Sequence, residues 1–146
     1  MQNVTQDHLH SMANILDKKE QWLPTHVIGH IDNPKSLLIT FYRDCGFVLL
    51  KQHTKWTHPE LDGNSSEIQI YYVYVKPKDR KCGILRAMME TVKAHAEKTT
   101  LRAEITRERG DEYHNNLVEM WKTEFGFIID KHQPIPHLVT IMHFNP

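Results

Sequence analysis

The sequence predicts an α/β domain in which a mixed β-sheet carries helices. Its 146 residues suffice for one domain with a substantial buried core. In the middle of the chain, stretches with strand character alternate with a stretch of helical period, and hairpin-like pairs of strands stand on either side. This order favours a mixed sheet with helices packed on it. We therefore expect residues 1–146 to form a single domain.

The first third of the chain predicts a helical region followed by a hairpin. Residues 5–20 show a thin apolar face at helical spacing, and residues 1–35 as a whole are expected to form an N-terminal helical region, although 21–35 give no distinct pattern. Residues 36–44 and 47–54 flank Cys45 and Gly46 as two strands around a tight turn. Residues 53–66 are rich in turn-forming residues and predict a connecting loop. The predicted helical face consists of Leu9, Met12, Ile15 and Leu16.

The second half predicts strand, helix, strand, helix and two closing strands. Residues 67–75 are β-branched and aromatic, and Pro77 ends them because proline cannot continue a central ladder. A helix follows Gly83, the segment 100–106 reads as a strand, and a second helix begins with Asp111 as its N-cap. Segments 127–133 and 137–144 are expected to be the last strands. The apolar positions predicted for the cores of the two helices are Leu85, Met88, Met89, Val92 and Ala96 in the first, and Leu117, Val118, Trp121 and Phe125 in the second.

Composition excludes several functional classes. Lysine plus arginine equals aspartate plus glutamate at 18 each, so no overall field directs the chain to nucleic acid or to an acidic membrane. No apolar run is long enough for a membrane span. The eleven histidines and two cysteines show no recognised ligand spacing, so no metal site is expected, and a reducing cytoplasm is the expected compartment.

A local basic cluster stands where the strand at 67–75 turns into the next helix. Lys76, Lys78, Arg80, Lys81 and Arg86 surround a single acid, Asp79, so five positive charges minus one leave a local charge of plus four. The first amides of a helix lack intrahelical partners, and the helix dipole adds to their attraction for anions. On charge alone, a solvated loop and an anion-binding turn are about equally supported.

The spacing in this turn resembles the cofactor motif of the GNAT superfamily of N-acetyltransferases. Val75, Pro77, Arg80 and Gly83 match a pattern of hydrophobic residue, proline, Arg or Gln, and glycine at the family's intervals. A second family element is matched by Asn115, 32 positions after Gly83, on a helix that ends in Gly-Phe. The resemblance covers residues 67–130 and implies a centrally splayed mixed sheet with helices on both faces.

The resemblance also implies a co-substrate, acetyl-CoA, and residues that hold it. The backbone of Val73 and Val75 is expected to pair with the pantetheine arm, and Asn115 to lie beside the pantetheine or the thioester. The pyrophosphate is expected on the amides from Arg80 to Leu85, which also include Lys81, Cys82, Gly83 and Ile84. Residues 67–130 would then form the cofactor-binding core.

Catalytic candidates follow from the same comparison. Glu67 is the first candidate for the base because its separation from Arg80 resembles that in histone-type acetyltransferases, and Glu104 on the next predicted strand is the reserve. Lys122 stands at the position of the family's proton-donating tyrosine, and Leu85 stands where the family has glycine or alanine. An acyl-enzyme formed on Cys82 is a weaker alternative because no histidine is placed beside it by the sequence.

Two hypotheses of different class follow. In the first, the chain is an N-acetyltransferase in which a small-molecule or protein amine attacks acetyl-CoA directly. In the second, Leu85 and Lys122 mark a GNAT-like module without chemistry that serves as an interaction or structural protein, for example of a phage particle or complex. A homodimer or a partner protein is compatible with both. Nucleic acid is the weakest candidate partner, and no membrane association is expected.

Overall fold

The chain folds as a mixed α/β protein in the computed structural model, which describes residues 1–28, 36–53 and 66–146. The strand order in the sheet is β1-β2-β3-β4-β5-β7-β6. The pair β4–β5 is parallel, whereas β1–β2, β2–β3, β5–β7 and β6–β7 are antiparallel. The predicted α/β class with a mixed sheet is confirmed. The strands are β1 (Gln2–Asn3), β2 (Leu37–Tyr42), β3 (Gly46–His53), β4 (Glu67–Val75), β5 (Thr100–Thr106), β6 (Ile128–Ile129) and β7 (Val139–Phe144), and the helices are α1 (Gln6–Ile15), α2 (Trp22–Ile28), α3 (Ile84–Ala96) and α4 (Asp111–Phe125).

The described residues divide into two compact units. The first contains residues 1–52 and 71–95, and the second contains residues 53–70 and 96–146. Strand β4 contributes its first four residues to the second unit and its last five to the first. The single domain expected from the sequence stays a prediction.

The first unit buries one face of α1 against the hairpin β2–β3. The hydroxyl of Thr5 caps α1 by accepting from the amide of His8, and the predicted apolar face is buried. The helix ends at Ile15, earlier than predicted, because Leu16 is extended and the side chain of Gln21 donates to its carbonyl at 2.8 Å. The hairpin has the predicted position, with Tyr42 paired to Gly46 next to the turn. The core cluster of this unit includes Leu9, Met12, Ile15, Leu16, Leu23, Val27, Leu37, Ile39, Phe47 and Leu49.

Helix α3 begins at Ile84, close to the predicted start after Gly83. One core assignment was wrong: Leu85 is only half-buried, and Ile84 is buried in its place. Ile84, Met88 and Val92 follow one another at four-residue steps, which places them on one face, and Met89 lies beside that face. Leu85 is therefore displaced from the apolar stripe by one position.

The second unit is built on the pairs β4–β5, β5–β7 and β7–β6. In α4, Trp121 and Phe125 are buried as predicted, but Leu117 and Val118 are half-buried and His114 fills the core instead. The predicted N-cap was also wrong, because Gly110 is the cap and Asp111 is the first helical residue.

The two closing strands are shorter than the sequence predicts. Strand β6 contains two residues and β7 begins at Val139. Between them, the side-chain amide of Gln133 bonds both the amide and the carbonyl of Ile141, at 2.8 and 2.9 Å, and so takes the place of a ladder partner. Pro134 and Pro136 follow directly and lack the N–H that a continuing strand would need.

Two earlier expectations fall mostly on residues that the structure does not describe. These are the second half of segment 21–35 and the loop at 53–66, of which only Ser66 and His53, the last residue of β3, are described. Within residues 1–28, 36–53 and 66–146, no helix has both the length and the apolar character needed to cross a bilayer.

Candidate functional site

The loop between β4 and α3, residues 76–83, is held at its base by backbone hydrogen bonds. The amide of Lys76 donates to the carbonyl of Cys45 at 2.8 Å, which fixes the end of β4 to the β2–β3 turn. A 3₁₀ turn at Pro77–Asp79 follows, and its geometry suits proline because the ring presets the backbone angle. The loop therefore leaves the strand from a defined position.

Two residues of this loop have a left-handed backbone. Lys81 has φ +66° and Gly83 has φ +79°. Glycine adopts such angles freely, whereas a residue with a side chain is strained by about 1–2 kcal/mol. A Cβ built on Gly83 would meet no protein atom within 4 Å, so the space beside this residue is open. The glycine is needed here for its backbone angle, and the open space is what a ligand approaching the backbone requires.

Arg80 turns its side chain back onto the end of β4. Its Nε donates to the carbonyl of Val75 at 2.9 Å, and its guanidinium lies 5.7 Å from the centre of the Tyr74 ring. This side chain closes the loop against the strand. The motif position predicted to serve an anion through its amide thus also shapes the loop through its side chain.

The remaining cations of the basic cluster face solvent. Lys78, Lys81 and Arg86 are exposed, and Asp79 is half-buried. Cys82 is an exposed free thiol whose Sγ lies 3.6 Å from the carbonyl of Arg80. Helix α3 then begins, and the amide of Ala87 makes the first turn by donating to Gly83 at 3.0 Å. The amides from Gly83 to Leu85 stand at a helix N-terminus, where amides lack intrahelical partners.

Val73 and Val75 are the last residues of β4 that the sequence assigned to the cofactor. The parallel ladder with β5 pairs only Glu67 to Ile70 with Thr100 to Ala103. Val73 and Val75 lie beyond the part of β4 that this register covers. Val75 is buried and Val73 is half-buried, so their contribution to a ligand would come from the backbone.

In the second unit, Glu67 is a buried carboxylate with both oxygens engaged. Oε2 lies 2.9 Å from Nε2 of His143, and Oε1 lies 3.4 Å from the Arg102 guanidinium. Burial alone would raise the pKa of Glu67, but the hydrogen bond and charge of His143, together with Arg102, outweigh it and hold the pKa below its usual value. Glu67 is thereby stabilised as an anion, which makes it a poor proton acceptor.

Glu104 shares Arg102 with Glu67 but is more exposed. Its Oε1 lies 3.3 Å from the guanidinium, and its Oε2 accepts from the amide of Gln69 at 2.5 Å. Gln69 in turn accepts from Nε2 of the buried His53 at 2.6 Å. The side chain of Glu104 is 32 % exposed against 7 % for Glu67. Of the two carboxylates, Glu104 is therefore the one in contact with solvent.

These side chains form one chain of polar contacts, which we call the sheet-face network. The register pairs Gln69 with Arg102 and Arg102 with His143, so these residues share one face of the sheet. His143 extends the network to Asp130, whose Oδ1 lies 2.5 Å from Nδ1. The network consists of His53, Gln69, Glu104, Arg102, Glu67, His143 and Asp130.

Asn115 and Lys122 both lie exposed on α4, seven residues apart and so on one side of the helix. Oδ1 of Asn115 lies 2.9 Å from Nδ1 of His114, and Nε2 of His114 lies 2.8 Å from the Thr140 hydroxyl. The buried imidazole therefore fixes the amide of Asn115. The carbonyl of Lys122 accepts from the amide of Gly126 at 3.2 Å, at the end of the helix.

The predicted site residues thus fall in two groups. Val73, Val75 and Arg80 to Leu85 belong to the first unit, whereas Glu67, Glu104, Asn115 and Lys122 belong to the second. Within the second unit, Arg102 joins Glu67 to Glu104. Sequence reasoning missed Arg102, His143, Asp130 and His53, although the alternation of polar and apolar residues in β4 and β5 could have indicated one polar sheet face.

In the part of the chain that the structure describes, two histidines are buried. His53 is 2 % exposed and His114 is 3 % exposed. Both are hydrogen-bonded, as buried polar groups need to be. Among the described residues, no group of three or more His, Cys, Asp or Glu side chains has an arrangement that could hold a metal ion.

Known proteins resemble this chain in their three-dimensional structure but not detectably in their sequence. No protein-family model and no curated protein matches the chain. A putative GNAT-family acetyltransferase from Desulfovibrio desulfuricans matches 99 % of this chain and 96 % of its own, with a TM-score of 0.70 and 14 % identity. The N-acetyltransferase YlbP of Bacillus subtilis, solved with coenzyme A, matches 99 % and 95 % with a TM-score of 0.61 and 15 % identity.

A third similar structure is the ribosomal-protein-S18-alanine N-acetyltransferase of Escherichia coli. It matches 98 % of this chain and 90 % of its own, with a TM-score of 0.64 and 15 % identity. At such low identity the likeness shows the fold alone. The expectation of a GNAT-like fold is therefore confirmed over nearly the whole chain, well beyond the residues 67–130 that carried the sequence resemblance.

Proposed function

We propose that the protein is an N-acetyltransferase that uses acetyl-CoA as co-substrate and a small-molecule or protein amine as acceptor. The observation that carries this proposal is the loop after β4, where a left-handed Gly83 leaves open space beside the backbone at the start of α3. Its cations and helix-terminal amides suit a pyrophosphate. The GNAT-like fold and a similar structure solved with coenzyme A support the same ligand.

Each predicted cofactor residue has a role in this proposal. The amides from Arg80 to Leu85, and so those of Lys81, Cys82, Gly83 and Ile84, would hold the pyrophosphate. The backbone of Val73 and Val75 would bond the pantetheine arm, as an added strand does at a sheet edge. Asn115, fixed by His114, would bond the pantetheine or the thioester. Leu85 is half-buried, so its side chain is partly turned from solvent.

Acetyl-CoA supplies an acetyl group as a thioester. Its carbon–sulfur bond would break as the amine nitrogen bonds to the acetyl carbon, and coenzyme A would leave as a thiolate that takes a proton from solvent to give the free thiol. The proton that the amine loses needs an acceptor, and we assign it to Glu104. Glu104 is the more exposed carboxylate of the network and is oriented by Gln69 and Arg102. Glu67, the sequence's first choice, is held as an anion by His143 and Arg102 and would act as an anchor. Lys122 is exposed on α4 and remains a catalytic candidate for the tyrosine position.

The acceptor can be a protein amine as well as a small molecule. One similar structure is named for acetylating the alanine of a ribosomal protein, and another, the Naa50 of Arabidopsis thaliana, was solved with a peptide-containing bisubstrate analogue. A cytoplasmic location and self-association as a homodimer or binding to a partner protein are further parts of the proposal.

Thermal unfolding with and without excess acetyl-CoA tests the co-substrate. At a hundredfold excess over the dissociation constant, binding stabilises by about 2.7 kcal/mol, which raises the midpoint of a chain of this size by roughly 5–10 °C. Sulfate at equal concentration is the control for a nonspecific anion. A midpoint raised by acetyl-CoA and not by sulfate justifies a screen of amines and N-terminal peptides by release of free thiol.

The same measurement separates the two classes of function. No shift at millimolar acetyl-CoA would refute the acetyltransferase and leave the GNAT-like interaction module, for which a search for partners is the next step. A shift without turnover on any amine would indicate a module that binds acetyl-CoA but does not transfer the acetyl group.

A further inference from the structure

His143 lies between two carboxylates in the second unit. Its Nε2 is 2.9 Å from Oε2 of Glu67, and its Nδ1 is 2.5 Å from Oδ1 of Asp130. An ionised carboxylate only accepts hydrogen bonds, so a hydrogen on each ring nitrogen satisfies both contacts. The side chain is 16 % exposed, which protects these bonds from water. With both carboxylates ionised, this geometry makes His143 an imidazolium.

The charges that face His143 come from three elements. Glu67 lies on β4, Arg102 is paired with His143 in the register of β5 and β7, and Asp130 follows β6. The more distant Glu104 completes the set by sharing Arg102. Three carboxylates thus stand against two cations, and each cation contacts two carboxylates.

The guanidinium of Arg102 lies at nearly equal distances from its two carboxylate partners. It lies 3.4 Å from Glu67 and 3.3 Å from Glu104. Charges attract more strongly where burial lowers the effective dielectric constant, and Glu67 is the more buried of the two. Without the charge of His143, Glu67 would draw Arg102 to itself, and Glu104 would lose one of the two groups that orient it.

We propose that His143, held by Asp130, is a positioning residue for the acetyl transfer: its imidazolium satisfies Glu67 and so leaves Arg102 to orient Glu104 as the proton acceptor. This inference rests on the proposed function. His143 does not itself exchange a proton with the amine, which gives its proton to a carboxylate oxygen of Glu104. The sheet-face network would then have two parts. Asp130, His143 and Glu67 hold the charges in place, and Glu104 accepts the proton.

The role predicts a pH dependence with a definite sign. The hydrogen bond to Glu67 raises the pKa of His143, burial opposes the shift, and Asp130 adds to the rise. The imidazolium therefore persists above the usual range of histidine and is lost as the pH rises through its pKa in the folded protein. Because that loss releases Arg102 from Glu104, the transfer rate is expected to decline on the alkaline side.

The test compares three variants by the pH profile of kcat/KM, with acetyl-CoA and the best amine found in the screen. His143→Gln removes the charge, His143→Arg keeps it, and His10→Gln makes the same neutral change at an exposed residue of α1. We expect His143→Gln to lower kcat/KM about tenfold and to abolish the alkaline decline, as loss of part of a base's 10²- to 10⁴-fold contribution predicts. His143→Arg should retain most of the rate, and His10→Gln should match the native protein.

A direct measurement accompanies the kinetics. Nitrogen-15 NMR of the His143 ring should show both nitrogens protonated at neutral pH, and a neutral tautomer would overturn the proposal whatever the variants do. Equal losses in His143→Gln and His143→Arg, or an unchanged profile in His143→Gln, would also overturn it.

Failure of the proposed function has a separate signature. A native protein that shows no acetyl-CoA shift and no turnover refutes the acetyltransferase and, with it, the positioning role. A native protein that turns over normally beside an equally active His143→Gln refutes the positioning role alone. The acetyl-CoA shift itself should be the same in all three variants.

Discussion

The loop after β4 and the sheet-face network are built on opposite principles. The loop is a run of consecutive, largely exposed residues whose backbone is left-handed at Lys81 and Gly83. The network joins side chains from β3, β4, β5, β7 and the residue after β6, and its central members are buried or half-buried. Ligand capture through backbone amides needs local conformation, whereas control of a proton needs charges brought together by the register of a sheet.

The difference also separates what each region does to stability. The strained backbone of the loop lowers the stability of the fold, and in return its amides stay accessible and the space beside Gly83 stays open. The network stabilises the fold only while each of its charges is paired, because a buried charge that loses its partner is strongly destabilising. Substitutions in the loop should therefore mainly affect binding of acetyl-CoA, whereas substitutions in the network should mainly affect the reaction rate or the stability. Four predictions test this contrast.

The largest effect is expected on the rate, from Glu104→Gln. This isosteric change removes the proposed proton acceptor and should lower kcat by about 10²- to 10⁴-fold. Stability and the acetyl-CoA shift should change little, because Glu104 is partly exposed and lies outside the loop. Kinetics of thiol release measure the rate, and Glu67→Gln is the comparison. If Glu67→Gln is the slower of the two, the order of the bases is reversed and Glu67 is the acceptor.

Glu67→Gln should instead have its main effect on stability. Removing one partner of a buried ion pair costs about 3–5 kcal/mol, so denaturant unfolding should show a free energy lower by about 3 kcal/mol. The pKa of Glu67 lies below its ordinary 4.5, so its contribution is present above that pH and is lost as the pH falls through the folded value. The pKa of His143 lies above its ordinary 6.5, so its contribution is complete below that pH and is lost as the pH rises.

The opposite pKa shifts of Glu67 and His143 define the pH range in which the stability difference should be largest. The difference between the native protein and Glu67→Gln should be largest from about pH 4.5 to 6.5, where both groups are charged in the folded protein. It should shrink toward either side. A difference that does not vary with pH would show that packing, rather than the ion pair, holds Glu67 in place.

Gly83→Glu should remove the stabilisation of about 2.7 kcal/mol that a hundredfold excess of acetyl-CoA confers. The new side chain would fill the open space and bring a negative charge to the proposed pyrophosphate. Gly110→Glu is the matched control, because Gly110 is also left-handed, at φ +97°, and also has open space beside it. Both variants should lose the same backbone stability, but only the control should keep the shift. Binding retained by Gly83→Glu would remove the loop from the cofactor site.

The same contrast explains what could be predicted from the sequence. The strands β4 and β5 and the start of α3 were placed to within a residue, because alternation and helical spacing act over short distances. The loop was recognised because its residues are consecutive. His143 and Arg102 were missed because their contacts with Glu67 span 76 and 35 positions, and only the strand order brings them together.

Errors at the ends of elements have local causes that single-residue patterns do not reveal. Strand β6 is short because the side chain of Gln133 bonds Ile141 in place of a backbone ladder. Helix α4 is capped by Gly110 rather than by Asp111, although aspartate is a strong capping residue. His114 took a core position that sequence reasoning gave to apolar residues, because Thr140 and Asn115 satisfy its ring nitrogens.

The smallest expected effect comes from Lys81→Gly, which removes the side chain from a left-handed position of the loop. A residue with a side chain at φ +66° is strained by about 1–2 kcal/mol, and glycine costs roughly 0.5–1 kcal/mol through the greater entropy of the unfolded chain, so the free energy of unfolding should rise by up to about 1.5 kcal/mol. Glu97→Gly is the matched control, since Glu97 is exposed, lies just after α3 and has φ +53°. Its stability should rise by a similar amount.

The two variants should differ in their affinity for acetyl-CoA. Lys81→Gly also removes an exposed cation. Because an exposed ion pair contributes only about 0–1 kcal/mol, the affinity of this variant for acetyl-CoA should weaken by less than about tenfold. The affinity of Glu97→Gly should be unchanged. Isothermal titration gives the affinity and denaturant unfolding gives the stability. A much larger loss of affinity in Lys81→Gly would show that the lysine side chain itself binds the anion. The strained backbone at Lys81 would then be explained by the charge of its side chain. The loop would bind acetyl-CoA through that side chain as well as through its amides.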